Sequence, residues 1–231
     1  MRFASLPIST RLRRTNLVAA VAFTIGGSLF AIGAWVAQVG SGDASTAASI
    51  YFAGGLFFNT GGYASVVLAS NGPAAPGEPR AGDGRWRWWA YRPYNLAWLS
   101  AFVLFVGTLA FGISLIDSFL DGLTTQGENR LIWAPEVVGC ILFLISGHLG
   151  LTDVGRRPRL ELGWWVIAIN QLGSALFMIS ALAAFIRPET SSVVNIDVAN
   201  WGTFGGAVCF ALGGVMQAFD PPAGVPADAR V

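Results

Sequence analysis

The sequence predicts an all-α polytopic membrane protein, with six transmembrane helices arranged as three repeated αα-hairpins. Three observations predict it. Six long apolar stretches follow one another in a chain of 231 residues whose mean hydropathy is +0.57 and of which only 12% are charged. Arginine is dense in every second connection and sparse in the others. One short spacing of glycine, phenylalanine and a second small residue recurs in every stretch.

Residues 1–14 read as a cytoplasmic N-terminal segment. Hairpin 1 covers 15–70, with apolar stretches near 16–39 and 48–69. A linker at 71–93 leads to hairpin 2 at 94–154, with stretches near 95–119 and 133–152. A cytoplasmic loop at 155–161 precedes hairpin 3 at 162–219, with stretches near 163–186 and 200–219, and 220–231 form a cytoplasmic tail. Each stretch is about 20–25 residues long, enough for a helix to cross a hydrocarbon core about 30 Å thick. Six such helices buried in a soluble protein would leave too little polar surface.

All fourteen basic residues are arginine. Arg2, Arg11, Arg13 and Arg14 precede the first span, and Arg80, Arg85, Arg87 and Arg92 separate spans 2 and 3. Arg156, Arg157 and Arg159 separate spans 4 and 5, and Arg230 stands in the tail. The opposite loops hold only Arg130 and Arg187. Loops rich in arginine stay on the cytoplasmic side, so the expectation is a multi-pass protein of the cell membrane with both termini inside. The basic loops call for no nucleic acid; orientation and anionic lipid headgroups account for them.

Aromatic residues fall where interfacial belts require them: Trp35, Tyr51, Trp133 and Trp201 at outer span ends, Trp86, Trp88, Trp89, Trp164 and Trp165 at inner ones. Cys140 and Cys209 lie within spans 4 and 6 and read as small packing residues. The first span follows a basic N-terminus, as a signal peptide would, but it carries the shared motif and reads as a retained helix.

That motif is G-x3-F-x2-[GS]. It occurs as Gly26, Phe30 and Gly33; Gly54, Phe58 and Gly61; and Gly107, Phe111 and Ser114. The remaining copies are Gly139, Phe143 and Ser146; Gly173, Phe177 and Ser180; and Gly206, Phe210 and Gly213. Its three positions share a helical face about 60° wide. In lipid no hydrophobic drive joins helices, so close approach at small residues must do it, and a phenylalanine fills the gap opposite a glycine. The even spans add a second glycine, at Gly62, Gly147 and Gly214. This difference makes the hairpin the natural unit. Three parallel hairpins suit a pseudo-threefold arrangement, and a compact bundle fits as well as an open ring.

The stretches "RRTNLVAAVAFTIGGSLFAIGAWV" and "YFAGGLFFNTGGYASVV" resemble the YrhK-like membrane module, a paired-helix domain built around a "G..LF.IG" core. The second hairpin, "YRPYNLAWLSAFVLFVGTLAFGISLI" with "APEVVGCILFLISGHLG", is similar to it as well, and the third is more divergent. The resemblance implies a fold and no activity. Arg13-x-x-Asn16 and Arg92-x-x-Asn95 open hairpins 1 and 2, whereas hairpin 3 has Arg159-Leu-Glu-Leu162.

The linker begins rich in proline and glycine and ends in Arg85, Trp86, Arg87, Trp88, Trp89, Tyr91 and Arg92. This strip reads as an interfacial anchor on headgroups, or as a docking strip for a partner. Within the spans, Asn59, Tyr63, His148, Asn170 and Gln171 are candidates for a polar site. Such groups face a bundle interior as hydrogen-bond glue or mark a ligand or proton path. Asp117, Asp121, Glu128, Arg130 and Glu136 gather at the outer ends of spans 3 and 4, as a cation site or as solvated charges. Pro135 suits the first turn of span 4 and Asn200 the N-cap of span 6.

No H-E-x-x-H, P-loop, G-x-S-x-G or C-x-x-C motif is present, and nothing calls for a cofactor or metal. The leading expectation is a non-enzymatic assembly or accessory subunit, with itself or another membrane protein as partner. The alternative is a small transporter or channel with a polar path near His148.

Overall fold

The computed structural model describes residues 7–40, 44–75, 78, 85–155 and 161–225. Arg2, Arg80, Arg156, Arg157, Arg159 and Arg230 lie outside them. Among the described residues six helices are long and apolar enough to cross a membrane. They are α1 (Ile8–Val39), α2 (Ala44–Ser70), α3 (Leu96–Asp117), α4 (Thr125–Val154), α5 (Leu162–Ala183) and α6 (Ile196–Phe219). Strands β1 (Ile186–Arg187) and β2 (Ser192–Val193) pair antiparallel in the α5–α6 connection. The chain is an all-α polytopic membrane protein.

Helix α1 starts about two turns earlier than its apolar stretch, because no glycine or proline interrupts the arginine-bearing segment before Asn16. Its 32 residues reach about 48 Å. It ends at Gly40, whose φ of 61° is the left-handed conformation that glycine adopts most readily after a helix. Asn95 caps α3 by accepting from Trp98 N–H. Helix α6 is capped by Asn195, not Asn200: it begins a turn earlier, and the Asn195 side chain accepts from Val198 N–H. Helix α4 opens with one α turn at Thr125–Glu128 and a π turn at Asn129–Trp133. Pro135 then sits in the first turn of the regular helix Ala134–Val154. Proline lacks an N–H, and the wider π turn just before it absorbs the break in the ladder.

Each helix packs on its two neighbours in the order α1, α2, α3, α4, α5, α6 and back to α1, a closed ring. Both described chain ends lie at one end, here called proximal; the opposite end is distal. Amide pairs clip α1 to α6 at both ends. Proximally, Asn16 Nδ2 donates to Gln217 O (3.0 Å) and Asp220 O (3.1 Å), and Gln217 Nε2 donates to Asn16 Oδ1 (3.1 Å). Distally, Gln38 Nε2 donates to Asp197 Oδ1 (2.8 Å) and Asn200 Nδ2 to Gln38 Oε1 (3.0 Å). Branched aliphatic side chains such as Val21, Ile32, Ile113, Ile145, Ile179 and Leu212 are exposed, while glycine, alanine and phenylalanine fill the inside. That inversion suits helices solvated by lipid tails and joined by close contact.

Within each hairpin the motif glycine of one helix meets the motif phenylalanine of the other. A methyl on Gly26 would stand 2.6 Å from Phe58, and one on Gly54 would stand 3.2 Å from Phe30. The same reciprocal contact joins Gly107 to Phe143 and Gly139 to Phe111. It recurs between Gly173 and Phe210 and between Gly206 and Phe177. The second glycine of each even helix faces the next hairpin instead: Gly62 meets Thr108, Gly147 meets Gln171 and Gly214 meets Thr24. Odd and even helices differ because the even ones must also touch a second neighbour closely.

Two of the four aromatics expected at distal interfaces turn inward. Trp35 and Trp201 remain exposed, but Tyr51 packs on Phe30 and Trp133 donates from Nε1 to Ala181 O (2.8 Å). Tyr51 stands three residues before the motif glycine Gly54 and follows that face into the bundle, whereas Trp133, at the end of the π turn, packs on Phe185.

Candidate functional site

The six motif phenylalanines meet on the axis of the ring. Those of the odd helices, Phe30, Phe111 and Phe177, touch one another with ring centroids 5.8, 6.2 and 6.0 Å apart. One helical level nearer the proximal end, Phe210 touches Phe58 at 5.3 Å and Phe143 at 5.9 Å. Vertical contacts such as Phe30 to Phe58 and Phe177 to Phe210 join the layers. Between them is a void of only about 10 Å³, room for one water at most.

A cavity opens on either side of this plug. The distal one, about 570 Å³, has Phe30 and Phe111 at its floor. Its polar lining is Tyr51, Ser114, Ser118, Glu136, Ser180, Asn200 and Thr203. The proximal one, about 180 Å³, lies against Phe143 and Phe210 and presents Ser65, Ser100, Ser146, Asn170, Ser174 and Gln217.

Helical phase explains which side chains reach these cavities. One turn before the motif glycine, at position −3, a residue is about 60° from the glycine and still faces the axis. In the even helices this position holds Tyr51, Glu136 and Thr203, all in the distal cavity. In the odd helices it holds Phe23, Leu104 and Asn170, all in the proximal cavity.

Of the five residues read as a polar path, Asn170 lines the proximal cavity, and the other four line neither of these two. The Asn170 carboxamide lies against Gly213, and Oδ1 is buried without a hydrogen-bond partner. Gln171 is turned a further 100° and packs on Gly147, its Oε1 likewise unpartnered. Asn59 donates from Nδ2 to Gly55 O (3.1 Å) and packs on Gly112 of α3. Tyr63 is exposed and donates to Trp88 O (3.3 Å). His148 is also exposed on α4 and lines neither cavity. It follows Gly147, which faces α5, so its own direction is outward.

The third motif positions vary. Gly33 faces Tyr51 and Gly61 faces Phe23, whereas two of the serines make polar contacts. Ser146 donates to Ser100 O (2.8 Å), and Ser180 donates to Ala199 O (2.6 Å). Ser114 is buried and lines the distal cavity.

The acidic residues near the distal end do not form one site. Among the described residues no group of three or more His, Cys, Asp or Glu is placed to hold a metal ion. Glu136 enters the distal cavity while Asp121 is exposed. Cys140 and Cys209 are buried free thiols.

The Arg/Trp strip divides. Trp88 and Tyr91 are 67% and 78% exposed, and Trp89 rests on Trp98 and Phe102. Arg85 is exposed, and the Arg11 guanidinium lies 5.9 Å over the Trp86 ring. Arg87 is held through its backbone, its N–H donating to Asn71 Oδ1 (2.8 Å). Arg92 departs from the interfacial reading: it is buried. It binds Glu78 by two contacts, 2.6 Å from Nε and 2.7 Å from Nη2. It also donates to the carbonyls of Ala69 (2.6 Å), Gly72 (3.2 Å) and Pro73 (2.8 Å). Arg92 is thus the tie between the proximal end of α2 and the start of α3, and the linker's proline-rich carbonyls are its partners.

Hydrogen bonding from Arg92 holds the Glu78 carboxyl down at about 2, from an ordinary 4.5; partial burial opposes this, and the Ala75 N–H and Asn95 amide assist it. A depressed carboxyl contributes stability that is complete above its unfolded value. The tie should therefore hold at pH 7 and weaken as pH falls from about 4.5 toward 2. Trypsin-like cleavage is unsuited to acid, so pepsin digestion across that range, with Glu78→Gln showing no such pH dependence, checks it.

No family model, curated protein or solved structure matches the chain.

Proposed function

We propose that the chain is a non-enzymatic protein of the cell membrane, with both termini cytoplasmic, that admits a small solute to its axis and gates it with the two phenylalanine layers. The observation that carries this is the plug itself: six motif rings on one axis with a cavity on each side. The same observation weighs against assembly through the motif, because these stripes are consumed inside one chain. The transport reading moves away from His148, which is exposed, to Glu136, Tyr51 and Thr203 at one end and Asn170 at the other. We further propose that the three hairpins are copies of one YrhK-like unit, a reading supported by the reciprocal Gly–Phe contacts.

In sealed vesicles loaded with potassium, the unmodified protein should leak slowly. Phe30→Ala with Phe210→Ala should raise the leak by roughly tenfold or more, since removing a ring from each layer opens a path wide enough for water. Phe52→Ala, a ring outside both layers, should leave it unchanged. A double variant that stays monodisperse and as tight as the unmodified protein would contradict the gate.

A second reading, an accessory or homo-oligomeric subunit, draws on another surface. Trp88, Tyr91 and Tyr94, the last 90% exposed, form an aromatic strip at the proximal end. Native mass spectrometry of gently solubilised protein tests it: a stoichiometric second chain lost on Trp88→Ala with Tyr91→Ala supports docking, and a monomer contradicts it.

A further inference from the structure

We infer that the distal cavity is a binding site for an organic monocation with an apolar body, an assignment that rests on the axial reading above. Among the described residues Glu136 is the only charged side chain in its lining. Among the described residues the Glu136 carboxylate has no hydrogen-bond donor and no basic partner, whereas Glu78 is doubly bound by Arg92. The neighbouring polar groups are largely engaged already. Ser180 donates to Ala199 O, Ser118 to Leu115 O (2.8 Å), and Asn200 to Gln38. Among the described residues the Tyr51 hydroxyl, like Glu136, has no hydrogen-bond partner. The cavity therefore offers one carboxylate, one phenol and the Ser114 hydroxyl in a setting of Phe30, Val36, Phe111, Leu115 and Ile132.

Each class of ligand can be weighed against that lining. An anion would meet a carboxylate and no base. A calcium-like ion needs six or more oxygens, and no cluster of acids supplies them. A neutral polar solute would leave the carboxylate unpaired in an apolar setting, which is costly. A monocation of modest size pairs its charge with Glu136 and lays its body on the Phe30, Tyr51 and Phe111 rings, whose faces attract cations. At about 570 Å³ the cavity lies within the range of small-molecule sites.

The test is equilibrium binding to the full chain in lipid nanodiscs, by isothermal titration with benzyltrimethylammonium and with benzenesulfonate, an anion of similar size. The cation should bind saturably at one per chain, and the anion should not. Glu136→Gln should weaken cation binding by roughly tenfold or more. Glu128→Gln, outside the cavity, should not change it. Equal binding of cation and anion overturns the assignment, as does undiminished cation binding by Glu136→Gln, or no saturable cation binding to the unmodified chain. The first and last of these need no variant to fold. Binding is read without flux, so the two proposals fail separately. A cation that does not bind, with a Phe30→Ala and Phe210→Ala leak intact, removes the ligand and leaves the gate. Specific binding with no leak does the reverse.

Discussion

Gly27→Ala should be among the most damaging single changes in the bundle, although it adds only one methyl group. That methyl would stand 2.7 Å from Ala207 O and from Ala211 N, both backbone atoms of α6. Backbone cannot rotate aside as a side chain can, so α1 and α6 must move apart along the seam that closes the ring. Overpacking of this kind costs about 3 kcal/mol, and in a chain of this size that corresponds to a melting temperature lower by roughly 10 °C. Gly205→Ala is the matched control on α6. Its methyl would meet only Leu176 Cδ1, at 3.3 Å, the far end of a flexible side chain. Alanine also favours the helix over glycine by about 1 kcal/mol, so Gly205→Ala should be neutral or stabilising. Thermal unfolding in detergent, followed by tryptophan fluorescence, checks both. Equal melting temperatures would contradict the close seam.

Arg92→Ala should release the linker from the proximal end while leaving the ring assembled. The change removes both contacts to Glu78 and the donors to Ala69, Gly72 and Pro73. A partly buried carboxylate and carbonyls that lose a charged partner cost about 2 kcal/mol. The loss is local, because the Gly–Phe contacts of the hairpins lie elsewhere. Trypsin should therefore cut at Arg85 and Arg87 much faster than in the unmodified protein, with little change in global melting. Arg92→Lys should restore only part of the protection, since one ammonium cannot span the carboxylate and three carbonyls. A cleavage rate unchanged by Arg92→Ala would show that the tie does not hold the linker.

The fold class was legible because membrane spans announce themselves by length and apolarity, and because Gly26, Phe30 and Gly33 recur in register in every span. The cavities were only half legible. His148, Asn170 and Gln171 stand out as polar residues within apolar spans, but polarity does not give azimuth, and one residue along a helix turns a side chain by 100°. That turn separates Asn170, in the proximal cavity, from Gln171, and Gly147, at the α5 interface, from His148. The signal that finds Tyr51, Glu136 and Thr203 was present: each stands three residues before a motif glycine. Reading Glu136 with its acidic neighbours in the sequence hid that register. The burial of Arg92 was hidden for another reason. Its partner Glu78 lies fourteen residues away across a proline-rich linker, and no local pattern foretells that loop's path.

The central claim is that the axis is closed between two cavities, and cysteine accessibility tests it most directly. In a background with Cys140 and Cys209 replaced by alanine, single cysteines would be placed at Thr203, in the distal cavity, and Ser146, in the proximal one. A membrane-impermeant thiol reagent would then be applied to either side of oriented vesicles. The account predicts that Thr203→Cys reacts only from the distal side and Ser146→Cys only from the proximal side. Either cysteine reacting from both sides in the unmodified plug, or Thr203→Cys reacting from neither, would contradict it.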